Sequence, residues 1–257
     1  MSLILNNIVN SISPLELSQL EGYSFMNRMD TKYPFSFKLL PELLGRISEQ
    51  YKVLEINGVR DLPYRTTYFD TPDNLFFNQH TRGFVERYKV RCRLYETNGE
   101  SFLEVKHKNI KGRTQKWRIS KNDNCLFDNE SIKFLFSYVS DSAFNVRPVL
   151  KSRFNRITLI GVNTKERITF DHNISFSNGN GEPIRLPYLA IAEVKRDSHL
   201  KPSPFTCALK DMLIRSSGFS KYCVGRAIVN NIAKAHLMKP TLHSLQKIEN
   251  EYNVYSA

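Results

Sequence analysis

The sequence predicts an α+β fold: a largely antiparallel sheet curled closed on itself, with helices packed outside. Three observations predict it. Nine segments alternate apolar and polar residues with the period of a strand, and five others repeat apolar residues at helical spacing. In six of the strand segments the polar face is charged, and mostly basic.

The strand segments are Phe25–Tyr33, Val53–Asn57, Tyr64–Asp70, Phe84–Tyr95, Ser101–Lys108, Thr114–Ser120, Val149–Ile160, Arg167–Phe176 and Tyr188–Arg196. Seventeen Phe and twelve Tyr against one Trp suit strands better than a helical bundle. Asp70-Thr71-Pro72-Asp73 and Asn178-Gly179-Asn180-Gly181 have turn chemistry. A helix is expected from Ser13, where Ser13-Pro14-Leu15-Glu16 reads as a cap followed by a first-turn proline, with Gly22 as the stop. Further helices are expected over Leu40–Tyr51, Asp128–Val139, Pro204–Ser216 and Val224–Leu237. Without an internal repeat or a low-complexity linker, residues 1–240 read as one domain, and 241–257 as a polar tail with little order.

The net charge of +12 calls for an anionic partner. Cys92, Cys125, Cys207 and Cys223 form no C-x-x-C pair, so a zinc site is not expected. Neither a secretory leader nor an apolar run of membrane-spanning length is visible, which gives a cytoplasmic expectation.

The charged faces locate the partner. Arg87, Lys89, Arg91 and Arg93 share one side of a strand, with Tyr88, Val90, Cys92 and Leu94 on the other. Arg28, Asp30 and Lys32 share a side, as do Glu104, Lys106 and Lys108, and Lys116 and Arg118. Arg167, Thr169 and Asp171 alternate with Ile168 and Phe170; Glu193 and Lys195 alternate with Ala192 and Val194. The apolar faces need cover from the helices, so the charged faces meet solvent or one another. In a closed sheet they line an interior, where Asp30, Glu104, Asp171 and Glu193 are too few to neutralise the cations. A phosphate-rich anion with its metal ion matches them. Arginine forks grip phosphate oxygens, lysines add point charges, and a carboxylate such as Glu193 suits a hard divalent ion. Few aromatic residues share these faces, so nucleic acid is not the expected partner.

In order along the chain, Arg28-Met29-Asp30-Thr31-Lys32-Tyr33, Tyr68-Phe69-Asp70-Thr71, Arg87-x-Lys89-x-Arg91-x-Arg93 and Glu104-Val105-Lys106 resemble the VTC domain. That is the polyphosphate polymerase domain of the vacuolar transporter chaperone complex, within the triphosphate tunnel metalloenzyme (CYTH-like) superfamily. Phe154-Asn155-Arg156, Arg167-Ile168-Thr169-Phe170-Asp171, Glu193-Val194-Lys195 and Phe219-Ser220-Lys221-Tyr222 continue the resemblance, which runs from about Glu16 to Ala235.

The resemblance implies an eight-stranded antiparallel β-barrel tunnel with helices outside. It also implies transfer of the terminal phosphate of ATP onto a polyphosphate chain with Mn2+ or Mg2+. It assigns phosphate contacts to Lys32, Arg91, Arg93, Lys106, Arg156, Arg167, Lys195 and Lys221, the metal to Glu193, and a hydrogen bond near the phosphate chain to Ser220. Arg28, Lys89, Lys116 and Arg118, on the same charged faces, complete the expected substrate-binding set. Hydrolytic members of the superfamily open with Glu-x-Glu-x-Lys, where this chain has Arg28-x-Asp30-x-Lys32, which favours the polymerase branch. Phe154 replaces a tyrosine common in the family. Neither the family's regulatory SPX domain nor a membrane segment is expected in this chain, although a membrane partner protein is compatible with it. The alternatives are a triphosphate or nucleoside-triphosphate hydrolase, and a binding module without turnover.

Overall fold

The computed structural model describes residues 2–22, 28–121, 127–139, 145–179, 181–197, 201–230 and 235–254. The elements in chain order are α1 (Ser2–Ser11), β1 (Pro14–Glu16), β2 (Arg28–Ser36), α2 (Leu40–Ile47), β3 (Tyr51–Glu55), β4 (Leu62–Asp70), α3 (Leu75–Thr81), β5 (Arg87–Tyr95) and β6 (Glu100–Lys108). They continue with β7 (Thr114–Lys121), α4 (Asn129–Val139), β8 (Arg147–Gly161), β9 (Glu166–Ser177), β10 (Ile184–Leu186), β11 (Leu189–Asp197), α5 (Pro204–Asp211), α6 (Lys221–Asn230) and α7 (Lys239–Val254).

Eight strands pair in the order β2-β11-β9-β8-β4-β5-β6-β7, each antiparallel to its neighbour. The long β8 changes partner along its length. Its first part pairs with β4 and its end, Leu159–Gly161, with β3, which also takes up β1 in parallel. The expected barrel does not close. Among the described residues no ladder joins β2 to β7, and the sheet is a curled, tunnel-like wall with a seam. Lys32 on β2 and Lys116 and Arg118 on β7 all line the interior.

The outer faces are buried under helices in two cores. α1, α2 and α5 bring Leu5, Val9, Leu43, Leu44, Ile47 and Phe205 onto Ile157, Leu159, Ile168, Phe170, Ala192 and Val194. On the other side Phe76, Phe77, Leu135, Tyr222 and Val224 cover Val90, Cys92, Leu103, Val105, Leu150 and Phe176. β2, β5, β6, β7, β8, β9 and β11 therefore turn charged residues inward, whereas β4 turns Tyr64 and Tyr68 inward. Cys92 is disulfide-bonded, while Cys207 and Cys223 are free.

Several local expectations are corrected. Ser13–Gly22 is not an α-helix: Pro14–Glu16 is a strand beside β3 and Leu17–Gly22 a 3-10 turn. The ladder, together with the Val53 amide donating to the Ser13 carbonyl at 2.9 Å, satisfies more backbone than one capped turn. The helix lies earlier, at Ser2–Ser11, where Leu5 and Val9 are spaced four apart and buried with Ile12. α5 ends at Asp211, where Leu213 takes a left-handed φ of 56°. α6 begins at Lys221, three residues before the expected start, with Ser220 Oγ accepting from the Cys223 amide at 3.3 Å. The segment after Pro240 is mostly helix α7, held by buried Leu245 and Ile248. Part of the first expected strand, residues 25–27, and the end of the last expected helix, residues 231–234, lie outside the described residues.

Candidate active site in the tunnel

Alternation on the curled sheet brings the charged faces together around one cavity of about 650 Å³. It is lined by Lys32 from β2, Lys89, Arg91 and Arg93 from β5, Lys106 from β6, and Lys116 and Arg118 from β7. Arg156 from β8, Arg167 from β9, Lys195 from β11 and Lys221 from α6 complete eleven cations. Ser220 and Glu193 also line it. All the expected site residues thus meet in one space except Arg28, whose side chain lies outside the described set.

Asp30, Glu104, Asp171 and Glu193 are engaged by neighbouring cations. Arg156 grips Asp171 with both ends of its fork, Nε at 2.5 Å and Nη2 at 2.8 Å, and Lys221 also pairs with Asp171. Arg91 Nε reaches Glu104 at 2.6 Å, and Lys116 pairs with the same carboxylate. Lys195 Nζ bridges Glu193 at 2.7 Å and Asp30 at 2.9 Å. Burial alone would push the Glu104 carboxyl up, but Arg91, Arg93 and Lys116 hold it down to about 2. Against the same cost of burial, Arg156 and Lys221 hold Asp171 below the usual carboxylate range, and Lys32 and Lys195 hold Glu193 well below it.

The cations are not fully compensated. Burial, with Lys32, Lys106 and Arg91 close by, pushes the Lys89 ammonium down to about 7. Burial also lowers Lys106, Lys116 and Lys221, each to about 8, despite their carboxylate neighbours. Several lysines are therefore poised to gain a proton when an anion arrives.

One side of the cavity is walled by the start of α6. Lys32 Nζ donates to the Phe219 carbonyl at 3.0 Å and Lys89 Nζ to Ser220 Oγ at 3.1 Å. Ser220, expected as a donor, here accepts from Lys89 and caps the helix. Lys221 lies 4.2 Å above the Phe154 ring, which stacks on Tyr64 at 5.3 Å; Arg93 and Arg156 face the same two rings. With Phe in place of the usual family tyrosine, position 154 serves as an aromatic platform. Behind this wall Tyr222 donates to Asp70, which also accepts from the Thr71, Phe76 and Phe77 amides at 2.8 to 3.0 Å. Asp70 thus fixes the turn into α3, as expected, and additionally ties α3 to α6.

His107 and Trp117 stand outside the cavity. His107 stacks on Tyr88 at 4.2 Å and pairs with Glu86 at 2.9 Å, while Trp117 stacks on Tyr138 at 4.3 Å. Sequence reasoning missed Tyr64, Tyr68, Tyr95 and Phe102 as lining residues. For Tyr64 and Tyr68 the signal was their common side of one strand, but only the bend of the sheet shows that this side is the interior.

The donor set has a clear bearing on a metal ion. Among the described residues no three His, Cys, Asp or Glu side chains cluster as a metal cage. Lys195 Nζ sits between Glu193 and Asp30, so a divalent ion held at these two carboxylates would take most of its ligands from phosphate and water.

A family model described as the VTC domain matches residues 27–230. The chain belongs to the VTC domain family. Among solved structures, a presumed adenylate cyclase from Bacillus halodurans is similar at a TM-score of 0.50 and 13% identity, covering 76% of this chain and 94% of that one. A presumed adenylate cyclase from Vibrio parahaemolyticus gives 0.47 and 13%, over 77% and 99% of the two chains. A presumed adenylyl cyclase from Hippeastrum with a dominant triphosphatase activity gives 0.48 and 16%, over 79% and 97%. At these identities the likeness concerns the fold. No curated protein matches the chain. Among the described residues no helix of this VTC domain is long and apolar enough to cross a membrane.

Proposed function

We propose that this VTC domain is a metal-dependent phosphotransferase that moves the terminal phosphate of ATP onto a polyphosphate chain inside the tunnel. The observation that carries the reading is the convergence of eleven Lys and Arg side chains on one cavity in which Asp30, Glu104, Asp171 and Glu193 are already engaged.

Phosphoryl transfer asks a protein for in-line positioning and charge stabilisation more than for a covalent group. A terminal phosphate oxygen of the acceptor chain attacks the γ-phosphorus, the bond from that phosphorus to the β–γ bridging oxygen breaks, and ADP leaves with the electron pair. Lys32, Lys106, Arg156, Arg167 and Lys195 hold the transferring group and its neighbours. Arg91 and Arg93 hold the rest of the phosphate chain, with Lys89, Lys116, Arg118, Ser220 and Lys221 as outer contacts and Arg28 placed by its strand position. Glu193 would hold a Mn2+ or Mg2+ ion, which would supply charge neutralisation to the bound phosphates. A phosphate acceptor is already anionic and needs no base. Water does, and Glu104, Asp171 and Glu193 are each held deprotonated by cations, which makes them poor bases.

The test is incubation of purified protein with ATP and Mn2+, with polyphosphate resolved on a gel and free phosphate assayed in parallel. A polymer ladder lost in Lys32→Ala and in Glu193→Gln is expected. Free phosphate without polymer would replace transfer by hydrolysis, and tight ATP binding with neither product would leave a binding module.

A further inference from the structure

The cavity is not basic throughout. Leu17, Leu54, Ile56, Tyr95 and Phe102 line part of the same space. They come from the 3-10 turn after β1, from β3 and the residue following it, and from the facing ends of β5 and β6. Phosphate has no use for such a surface. Tyr95 and Phe102 meet edge to face at 5.9 Å, and Tyr95 lies 5.1 Å from Tyr64, so the aromatic surface runs unbroken from the Phe154 platform. Arg118 lies 4.4 Å over the Phe102 ring. Leu17, 48% exposed, lines the same cavity as this aromatic strip. Asn98 and Glu100, also lining residues, hydrogen-bond to each other at 2.9 Å, and both are exposed.

Strand register separates this region from the α6 wall. Along β5, Lys89 touches Ser220, and Arg91, Arg93 and Tyr95 follow at successive inward positions. Along β6, Lys106 stands opposite Lys89 and Phe102 opposite Arg93. The cavity thus grades from lysines beside α6 to aromatic and aliphatic side chains toward the β5–β6 turn. A ligand matching that gradient carries phosphates at one end and a flat, apolar, π-faced group with polar edges at the other.

We propose that Tyr95, Phe102, Leu17 and Ile56 form a seat for the nucleobase of a nucleoside triphosphate, with the phosphates directed toward α6. This rests on the reading of the basic cavity as a triphosphate site and assigns its orientation. The base packs against the Phe102–Tyr95 surface, Leu17 and Ile56 cover it, and Asn98 and Glu100 offer hydrogen bonds to its edge. Stacking on an aromatic side chain tolerates any base. Arg118 lies between the base and the phosphates.

The test compares ATP with inorganic tripolyphosphate, which shares the phosphates and lacks the base. Affinities of both are measured by calorimetry without divalent ions on the wild-type chain, Phe102→Leu and Leu17→Ala. Phe102→Leu keeps bulk under Arg118, and Leu17 is exposed enough to be changed without touching a core. ATP binding is expected to weaken about tenfold in each variant, with tripolyphosphate binding unchanged. Equal ATP-to-tripolyphosphate ratios in all three proteins would overturn the base seat while leaving the phosphate site standing. A wild-type chain that binds neither compound would overturn both.

Discussion

Raising the pH should weaken ATP binding steeply, because the empty tunnel holds several of its lysines only partly protonated. Burial lowers Lys89 to about 7 and Lys106, Lys116 and Lys221 each to about 8, so part of this lysine set is neutral at pH 8. A bound triphosphate favours the charged form of every one of them. Binding at pH 8 should therefore draw in at least one proton. Each proton taken up makes affinity fall about tenfold per pH unit around pH 8. At that pH the terminal phosphate has already lost its last proton, so the uptake belongs to the protein. Calorimetry of ATP binding without divalent ions, at pH 8 in two buffers of different ionisation enthalpy, reads the proton number directly. Titrations from pH 7 to 9 give the slope. A heat independent of buffer, with flat affinity over that range, would refute the assignment of these lysines to the binding surface.

The same lysines affect the empty protein with the opposite sign. Their folded pKa values lie below the unfolded value, so the unfolded chain holds more protons between about pH 7 and 10, and the melting temperature of the ligand-free protein should climb across that window. A steady fall in a thermal scan would contradict this. Asp171→Asn leaves the buried Arg156 and Lys221 without their shared carboxylate; a loss of about 3–5 kcal/mol is expected in urea unfolding, partly recovered with ATP. An unchanged midpoint would show that the trio does not hold the wall. Tyr222→Phe removes the hydroxyl that donates to buried Asp70 and should cost about 1–3 kcal/mol, and a neutral result in the same assay would count against that link between α3 and α6. Gly225→Ala would put a methyl 2.6 Å from Leu150 Cδ2 and Phe176 Cδ1, so a destabilisation of about 1–3 kcal/mol is expected. A neutral substitution there would mean that α6 sits less tightly on β8 and β9 than described.

The site was more legible in the sequence than the local structure around it. A strand has one period and two faces, so Arg87-x-Lys89-x-Arg91-x-Arg93 fixes its own inward set once the opposite face is known to be buried. For the same reason Lys106, Arg156 and Lys195 meet although they lie far apart in the chain. Elements settled by tertiary contact were not legible. Pro14–Glu16 carries helix-start chemistry, yet β3 offers it a ladder, and nothing local reveals that neighbour. α7 is polar along most of its length and is held through Leu245 and Ile248. The open seam between β2 and β7 depends on the curvature of the whole sheet. The aromatic strip of Tyr64, Tyr95 and Phe102 was hidden because each residue reads alone as an ordinary core aromatic.

The wall formed by the start of α6 uses the same cations that the phosphates need. Lys32 donates to the Phe219 carbonyl, Lys89 to Ser220 and Lys221 to Asp171, so three of the eleven cations tie the wall in place while facing the cavity. An ammonium has three donors and a rotatable stem, so each can keep its wall contact and still turn a hydrogen toward an anion. The outer apolar faces of these strands are locked by the two cores, which leaves the inward charges little room to spread apart. The empty tunnel relieves the crowding by losing lysine protons; a polyanion relieves it by supplying charge. Ligand binding should therefore tighten the α6 wall, because recharged Lys89 and Lys221 hold Ser220 and Asp171 more strongly than their neutral forms do.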